Sequence, residues 1–280
     1  MGAKATEIRS LSELIAAVTP ELPERESGRR RNHAVYRGMP RVDDPLLTGL
    51  DRLGGRNAPH RKAHLEEHLF RNFLRAATPY TRPGQDEWEL LFAAEHHGLP
   101  TRLLDWSHSP LVAAHFATLD HDPTADRVIW RLDWRLVHER FGLRPLAFLV
   151  EDLVGELARR GIRSLREFFE RAGEMEPFAC LLEPPAIDAR ITVQSAAFTI
   201  CTDTSRSFDA FLAAHGLDSA LDRLVIPREA VDLVRDQLDL CAIDERRLFP
   251  DMDGAARSVG RYYASSGGAM PPLRAPASGP

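Results

Sequence analysis

Strand-like apolar runs and amphipathic helical stretches follow one another in no regular order along this chain, and no internal repeat organises them. A doubly wound sheet needs steady alternation of strand and helix, so the pattern predicts an α+β fold built around a mixed sheet. Ser10 and Glu13 form a capping-box pattern within the apolar spacing Ile8, Leu11, Leu14, Ile15 and Val18, which predicts a helix over residues 6–18. A connector rich in proline and charge follows to Asn32, then a strand over 33–38 with Arg37 at its end, and a loop over 39–59. Residues 60–77 carry Leu65, Leu69, Phe70, Phe73 and Leu74 on one helical face. Asp86 and Glu89 start a second helix that turns Trp88, Leu91 and Phe92 inward and stops before Gly98. An extended or looped segment runs to Ser107, and Ser109-Pro110 opens a helix through Leu119. Further strands are expected at 127–133, 180–182, 190–194, 198–202 and 224–226, with helices at 228–240 and 251–263. Residues 134–172 read as a helical insertion. The division is an N-terminal helix and linker (1–32), one domain (33–263) and a disordered Ser/Gly/Ala/Pro tail (264–280).

Composition removes several classes of chemistry. Lysine occurs only at Lys4 and Lys62, against 34 arginines, so no lysine follows a glycine-rich loop and a P-loop is excluded. A Schiff-base lysine is equally disfavoured, with Lys4 near the terminus and Lys62 on a polar helix face. No Gly-x-Ser-x-Gly or Gly-x-Gly-x-x-Gly pattern occurs, which leaves serine-hydrolase and Rossmann readings without support. Three cysteines, far apart and in no metal-ligand spacing, suit a reducing cytosol. No apolar run approaches the roughly 20 residues that span a bilayer, and the first ten residues lack a secretory core. The net charge of −5 divides into +5 over residues 1–82 and −10 over the rest. Arg29-Arg30-Arg31 is the one run with a charge suited to nucleic-acid phosphate, but a solvated linker is the simpler reading.

Chemistry concentrates between His96 and Ala117. The run His96-His97-Gly98-Leu99-Pro100-Thr101-Arg102-Leu103-Leu104-Asp105-Trp106-Ser107 precedes the Ser109-Pro110 helix and packs six kinds of polar side chain into a dozen positions. A purely structural core segment would not carry so many groups that each need a partner. The structural alternative is a polar knot in which Arg102 pairs with Asp105.

At these residues the sequence resembles the FRG domain family. The resemblance rests on the strand Tyr36-Arg37-Gly38 and the segment His96-His97-Gly98-Leu99-Pro100-Thr101-Arg102-Leu103-Leu104-Asp105-Trp106. Weaker matches are Arg190-x-x-x-Gln194-x-x-x-Phe198-Thr199 and Leu248-Phe249-Pro250-Asp251-Met252-Asp253-Gly254. Glu95 stands where the family usually has Gln, and Ser195-Ala196-Ala197 replaces a glycine-containing turn. A second resemblance is to ADP-ribosyltransferases of the Arg-Ser-Glu type, which also begin with a Tyr-Arg-Gly strand. Together these imply a largely antiparallel, ADP-ribosyltransferase-like sheet core, NAD as substrate, an acceptor macromolecule of open identity, no metal, and a bacterial cytosolic protein of defence or toxin type. By the same resemblance Arg37, flanked by Tyr36 and Gly38, would clamp the pyrophosphate, because a guanidinium fork matches phosphate oxygens as lysine cannot. His97, Thr101 and Ser107 would hold ribose, Arg102 and Asp105 would organise the turn, and Trp106 would pack on the nicotinamide ring. Gln194 would close the site from a late strand where transferases place glutamate. Glutamine cannot counter a positive centre, so Asp105 or Glu95 would supply the carboxylate, or the domain is a non-catalytic nucleotide- or partner-sensing module.

One literal motif competes. His64-Leu65-Glu66-Glu67-His68 has the His-x-x-Glu-His form of inverted zinc peptidases, with both histidines on one helical face. A highly charged helix with no third ligand segment favours a solvated face.

Overall fold

The computed structural model describes residues 4–20, 28–29, 32–54, 62–82, 84–119, 124–186 and 188–263. Seven strands form one sheet: β1 (Lys4–Glu7), β2 (Ala34–Met39), β3 (Leu103–Ser107), β4 (Arg127–Asp133), β5 (Ala179–Leu182), β6 (Ala196–Cys201) and β7 (Leu221–Ile226). Their order is β1-β7-β4-β2-β3-β6-β5, and only β1 and β7 run parallel. The expected α+β class and largely antiparallel core are therefore present.

The sheet has a weak seam. β2 pairs with β4 over six residues, and β3 pairs with β6 over five, but β2 and β3 meet only at Tyr36 and Ser107. Two half-sheets thus splay apart beyond one pair of residues, and the opening between them is where the cleft lies.

Helices cover both faces. On one side α1 (Leu11–Val18), α5 (Pro110–Ala117) and α11 (Val231–Leu240) bury Leu14, Ala113, Ala117 and Val234 against Tyr36, Ile129 and Leu224. The other face of this half packs Val35, Val128 and Leu132, joined by Trp106 from β3, against α6 (Trp134–Arg140) and α10 (Phe208–Ala214). Over the second half-sheet lie α3 (Lys62–Ala77), α4 (Glu87–His96), α7 (Val150–Arg159) and α8 (Leu165–Arg171), joined through Phe70, Phe92, Leu153, Phe168 and Phe198. The segment 134–172 is thus built into the core on both sides. His138 of α6 even accepts a hydrogen bond from the Leu181 amide at 2.9 Å, covering the edge of β5.

Three short elements depart from expectation. Residues 6–18 are not one helix. Ser10 accepts from the Glu13 amide at 3.3 Å and so fixes the helix start at Leu11, leaving Lys4–Glu7 free to pair with β7. The expected loop 39–59 contains α2 (Gly49–Gly54), started by a reciprocal cap in which the Thr48 amide donates to Asp51 at 2.9 Å and the Asp51 amide to Thr48 at 3.1 Å. Residues 190–194 are not a strand. Asp188 caps the start of α9 (Ala189–Val193), whose C-cap is Gln194, and Ser195 turns the chain away with φ at 48°. The chain closes with α12 (Glu245–Leu248) and α13 (Met252–Tyr262). The tail 264–280, most of the 19–32 connector and two of the three clustered arginines lie outside the described residues. No helix among the described residues is long and apolar enough to cross a membrane.

Candidate functional site

Gly38 determines how the site is built. A β-carbon there would collide with the Ala113 carbonyl oxygen and the Ala117 nitrogen, so only glycine lets α5 lie this close to β2. The small face Ala113, Ala114 and Ala117 completes the contact. The first helical residues of α5 are thereby set beside Arg37 at the mouth of the seam.

A cavity of about 330 Å³ opens there. β2 contributes Arg37, β3 Asp105 and Ser107, α4 Glu95 and His96, α5 Val112 and Phe116, and α9 Arg190 and Gln194, with Phe198 at the base. A second, more open lobe of about 420 Å³ lies on the other side of Arg37, Glu95 and Asp105, walled by Leu47, Arg52 and Pro100. Those three charged residues are the waist shared by both lobes.

The waist is tightly coupled. Arg37 Nη1 donates to the Asp105 carbonyl at 2.8 Å and lies 3.5 Å from its Oδ2. The Asp105 side chain is 58% exposed while that of Arg37 is 16% exposed, so the acid faces solvent and the guanidinium is held inside. Burial lowers the Arg37 pKa against the pull of Asp105, with Arg52 adding repulsion. Glu95 accepts a hydrogen bond from the Thr101 hydroxyl. Burial and the neighbouring Asp105 push its pKa up to about 8, so at neutral pH it is mostly protonated. Two carboxyl groups with such different surroundings are a common arrangement for acid–base work. His96 faces Asp188 at 3.4 Å, and burial lowers its pKa.

The expected site residues divide into three groups. Tyr36, Arg37, Gly38, Asp105, Trp106, Ser107 and Gln194 line one cavity. Thr101 and Arg102 stand behind it, fully buried. Thr101 anchors Glu95, while Arg102 does not pair with Asp105. Its Nε donates to Glu66 at 2.6 Å and its guanidinium lies 4.4 Å from the Phe168 ring. Asp105 sits on β3 with its side chain toward Arg37, which leaves Arg102 to the opposite, buried acid. His97 is exposed at the end of α4, and His96 lines the cavity in its place.

Four residues are fixed differently from the roles expected of them. Trp106 donates its Nε1 hydrogen to Thr199 at 3.0 Å and packs edge-on to Phe208, so most of its ring serves the core. Ser107 donates to the Gln194 carbonyl at 2.7 Å, and Gln194 Nε2 donates to the Leu248 carbonyl at 2.9 Å. Gln194 is therefore the cap of a short helix that ties the C-terminal segment to the cleft. Tyr36 is buried, hydrogen-bonded to Asn32, and desolvation raises its pKa.

Sequence reasoning passed over His96 and Arg190 as site residues. Leu91 and Phe92 point inward, and one helical turn later come Glu95 and His96, so the phase of α4 contained the choice between the two histidines. His64 and His68 are exposed, and Glu66 rather than Glu67 turns inward. Among the described residues no three His, Cys, Asp or Glu side chains are grouped to hold a metal ion.

Residues 32–126 match the family model of the FRG domain, a span that holds the waist and α5 but ends before Arg190 and Gln194. No curated protein and no solved structure matches the chain.

Proposed function

Because residues 32–126 of this chain carry an FRG domain, we propose that its cleft binds NAD and breaks the bond between ribose and nicotinamide, as an ADP-ribosyltransferase-like site. The observation that carries the reading is the Arg37–Asp105–Glu95 waist between a lobe of mixed polar and aromatic lining and a more open one. A guanidinium fork suits the diphosphate, and Val112, Phe116 and Phe198 suit a ring. When the C1′–N bond breaks, its electron pair leaves with nicotinamide, which departs neutral, and positive charge develops on the ribosyl carbon. The Asp105 carboxylate faces that charge. Water or an acceptor hydroxyl entering by the open lobe attacks the carbon, and its proton passes to Glu95, a stronger base when ionised than an ordinary carboxylate.

The test is nicotinamide release by the parent, Arg37→Lys, Asp105→Asn and Glu95→Gln. Asp105→Asn is expected to lose about a hundredfold or more in turnover with NAD still bound. Arg37→Lys is expected to weaken NAD binding by roughly ten- to a hundredfold although charge is kept. Parent turnover should rise with pH and level above about 8 as Glu95 ionises. A parent that binds no NAD at millimolar concentration ends the reading.

A second reading is favoured by Gln194, whose amide is engaged by Leu248 and which brings no carboxylate to the cleft. In it the domain senses a nucleotide without turning it over. Tight binding with no nicotinamide release, in the parent and in every variant, selects it.

A further inference from the structure

Arg190 is held at the wall of the first lobe from two sides. Its backbone amide donates to its own helix cap, Asp188, at 2.6 Å, and its guanidinium lies over the Phe249 ring at 4.8 Å. The other oxygen of Asp188 faces His96 at 3.4 Å, so this carboxylate is engaged by the helix start and by His96. The buried Nε of Arg190 has no hydrogen-bond partner. Arg37 is in the same condition, with Nη1 on Asp105 and a buried Nε that donates to nothing. Two guanidinium groups, each with an unmet buried donor, line one cavity. Two guanidinium groups concentrate positive charge on one cavity, and a neutral ring would leave that charge unanswered. An anion with several oxygens would answer both, because guanidinium groups match such oxygens in pairs.

We propose that Arg190 is the second cation of the first lobe, and that the lobe takes a ligand with two linked anionic groups, a nucleoside diphosphate or dinucleotide, one group at Arg37 and the other at Arg190. This rests on the nucleotide reading above and adds to it the count of charges the ligand must carry. Phe249 acts as a positioning residue, a flat support that keeps the guanidinium over the lobe.

The probes are ADP-ribose, AMP, adenosine and inorganic pyrophosphate, with binding measured by calorimetry for the full chain. For Arg190→Gln the expected loss is roughly ten- to thirtyfold for ADP-ribose, at most about threefold for AMP, and none for adenosine. Phe249→Leu, which keeps the charge and removes the support, should show the same order of losses in weaker form. Should Arg190→Gln fail to fold, Arg190→Lys replaces it, with the same ranking of probes expected. Equal losses for adenosine and ADP-ribose would make Arg190 structural and overturn the proposal. An unchanged ADP-ribose affinity beside a large loss in Arg37→Lys would overturn it while leaving the nucleotide reading standing. Pyrophosphate bound as tightly as ADP-ribose would make the ligand a free anion. A parent that binds none of the four ends both ideas.

Discussion

Glu95 is partly buried beside Asp105, and both desolvation and the neighbouring acid favour its neutral form. A protonated glutamate is nearly isosteric with glutamine, the residue that the resembled family usually carries there. The unfolded chain releases this proton near the ordinary value, while the folded one keeps it up to about pH 8. Stability from this group is therefore fully present at low pH and is lost as pH rises through that window. Glu95→Gln should remove the loss, making the variant the more stable one, on the order of 2–4 kcal/mol by pH 8 and near zero at pH 4. Thermal melts at a series of pH values read this directly, and a constant gap would refute the assignment. Gly38 offers a harsher test. Gly38→Ala forces α5 off β2 and should cost about 3 kcal/mol or more in denaturant unfolding. At this scale the sequence was legible where chemistry is local. The crowding of polar residues at 96–107 marked the cleft, but pairing was not. Which of two acids Arg102 meets depends on α3, thirty-six residues earlier.

The elements explain the rest of what was and was not legible. Long periodic stretches such as α3 and α4 declare themselves because one face must be apolar over several turns. α2 and α9, of six and five residues, are too short for periodicity to show. Only caps mark them, and the Thr48-x-x-Asp51 and Asp188 signals went unused among prolines and glycines. Reading 190–194 as a strand still placed Arg190 and Gln194 on one side, since residues four apart share a face in either conformation. Element docking has its own prediction. Glu66 of α3 takes both the Arg102 amide, at 2.8 Å, and its Nε. Glu66→Gln leaves a buried guanidinium poorly compensated and should cost about 3–5 kcal/mol. Arg102→Met combined with Glu66→Leu should recover much of that loss. A double variant as unstable as the single one would show that packing, not charge, is what fails.

Across the whole molecule, the C-terminal helices are bound to the cleft by a second buried network. Arg235 of α11 donates to Glu245 of α12 at 2.8 Å, and Arg261 of α13 pairs with Glu245 at 2.8 Å and Asp239 at 2.6 Å. His115 of α5 lies against Arg235 at 3.4 Å, and burial followed by Arg235 lowers its pKa to about 4. Neutral when folded, it takes a proton only on unfolding, so stability is present above the ordinary histidine value and is lost as pH falls toward 4. The loss should be on the order of 2–3 kcal/mol, and His115→Gln should flatten it. No local pattern discloses such a network, because its members come from four helices spread over 147 residues of chain.

The single residue pair joining β2 to β3 has a mechanical consequence. A sheet stitched at one point behaves as two stiff plates on a short hinge, and any molecule gripped by both plates acts as a clasp. Arg37 belongs to one plate; Asp105, Gln194 and Phe198 belong to the other or to its margin. Ligand binding should then slow hydrogen exchange at Tyr36 and Ser107 more than at the centre of β4, although neither is the residue gripped most closely. Uniform slowing across the sheet would mean the plates are already locked. In the clasped case, an occupied cleft is registered as the closing of the protein's own sheet.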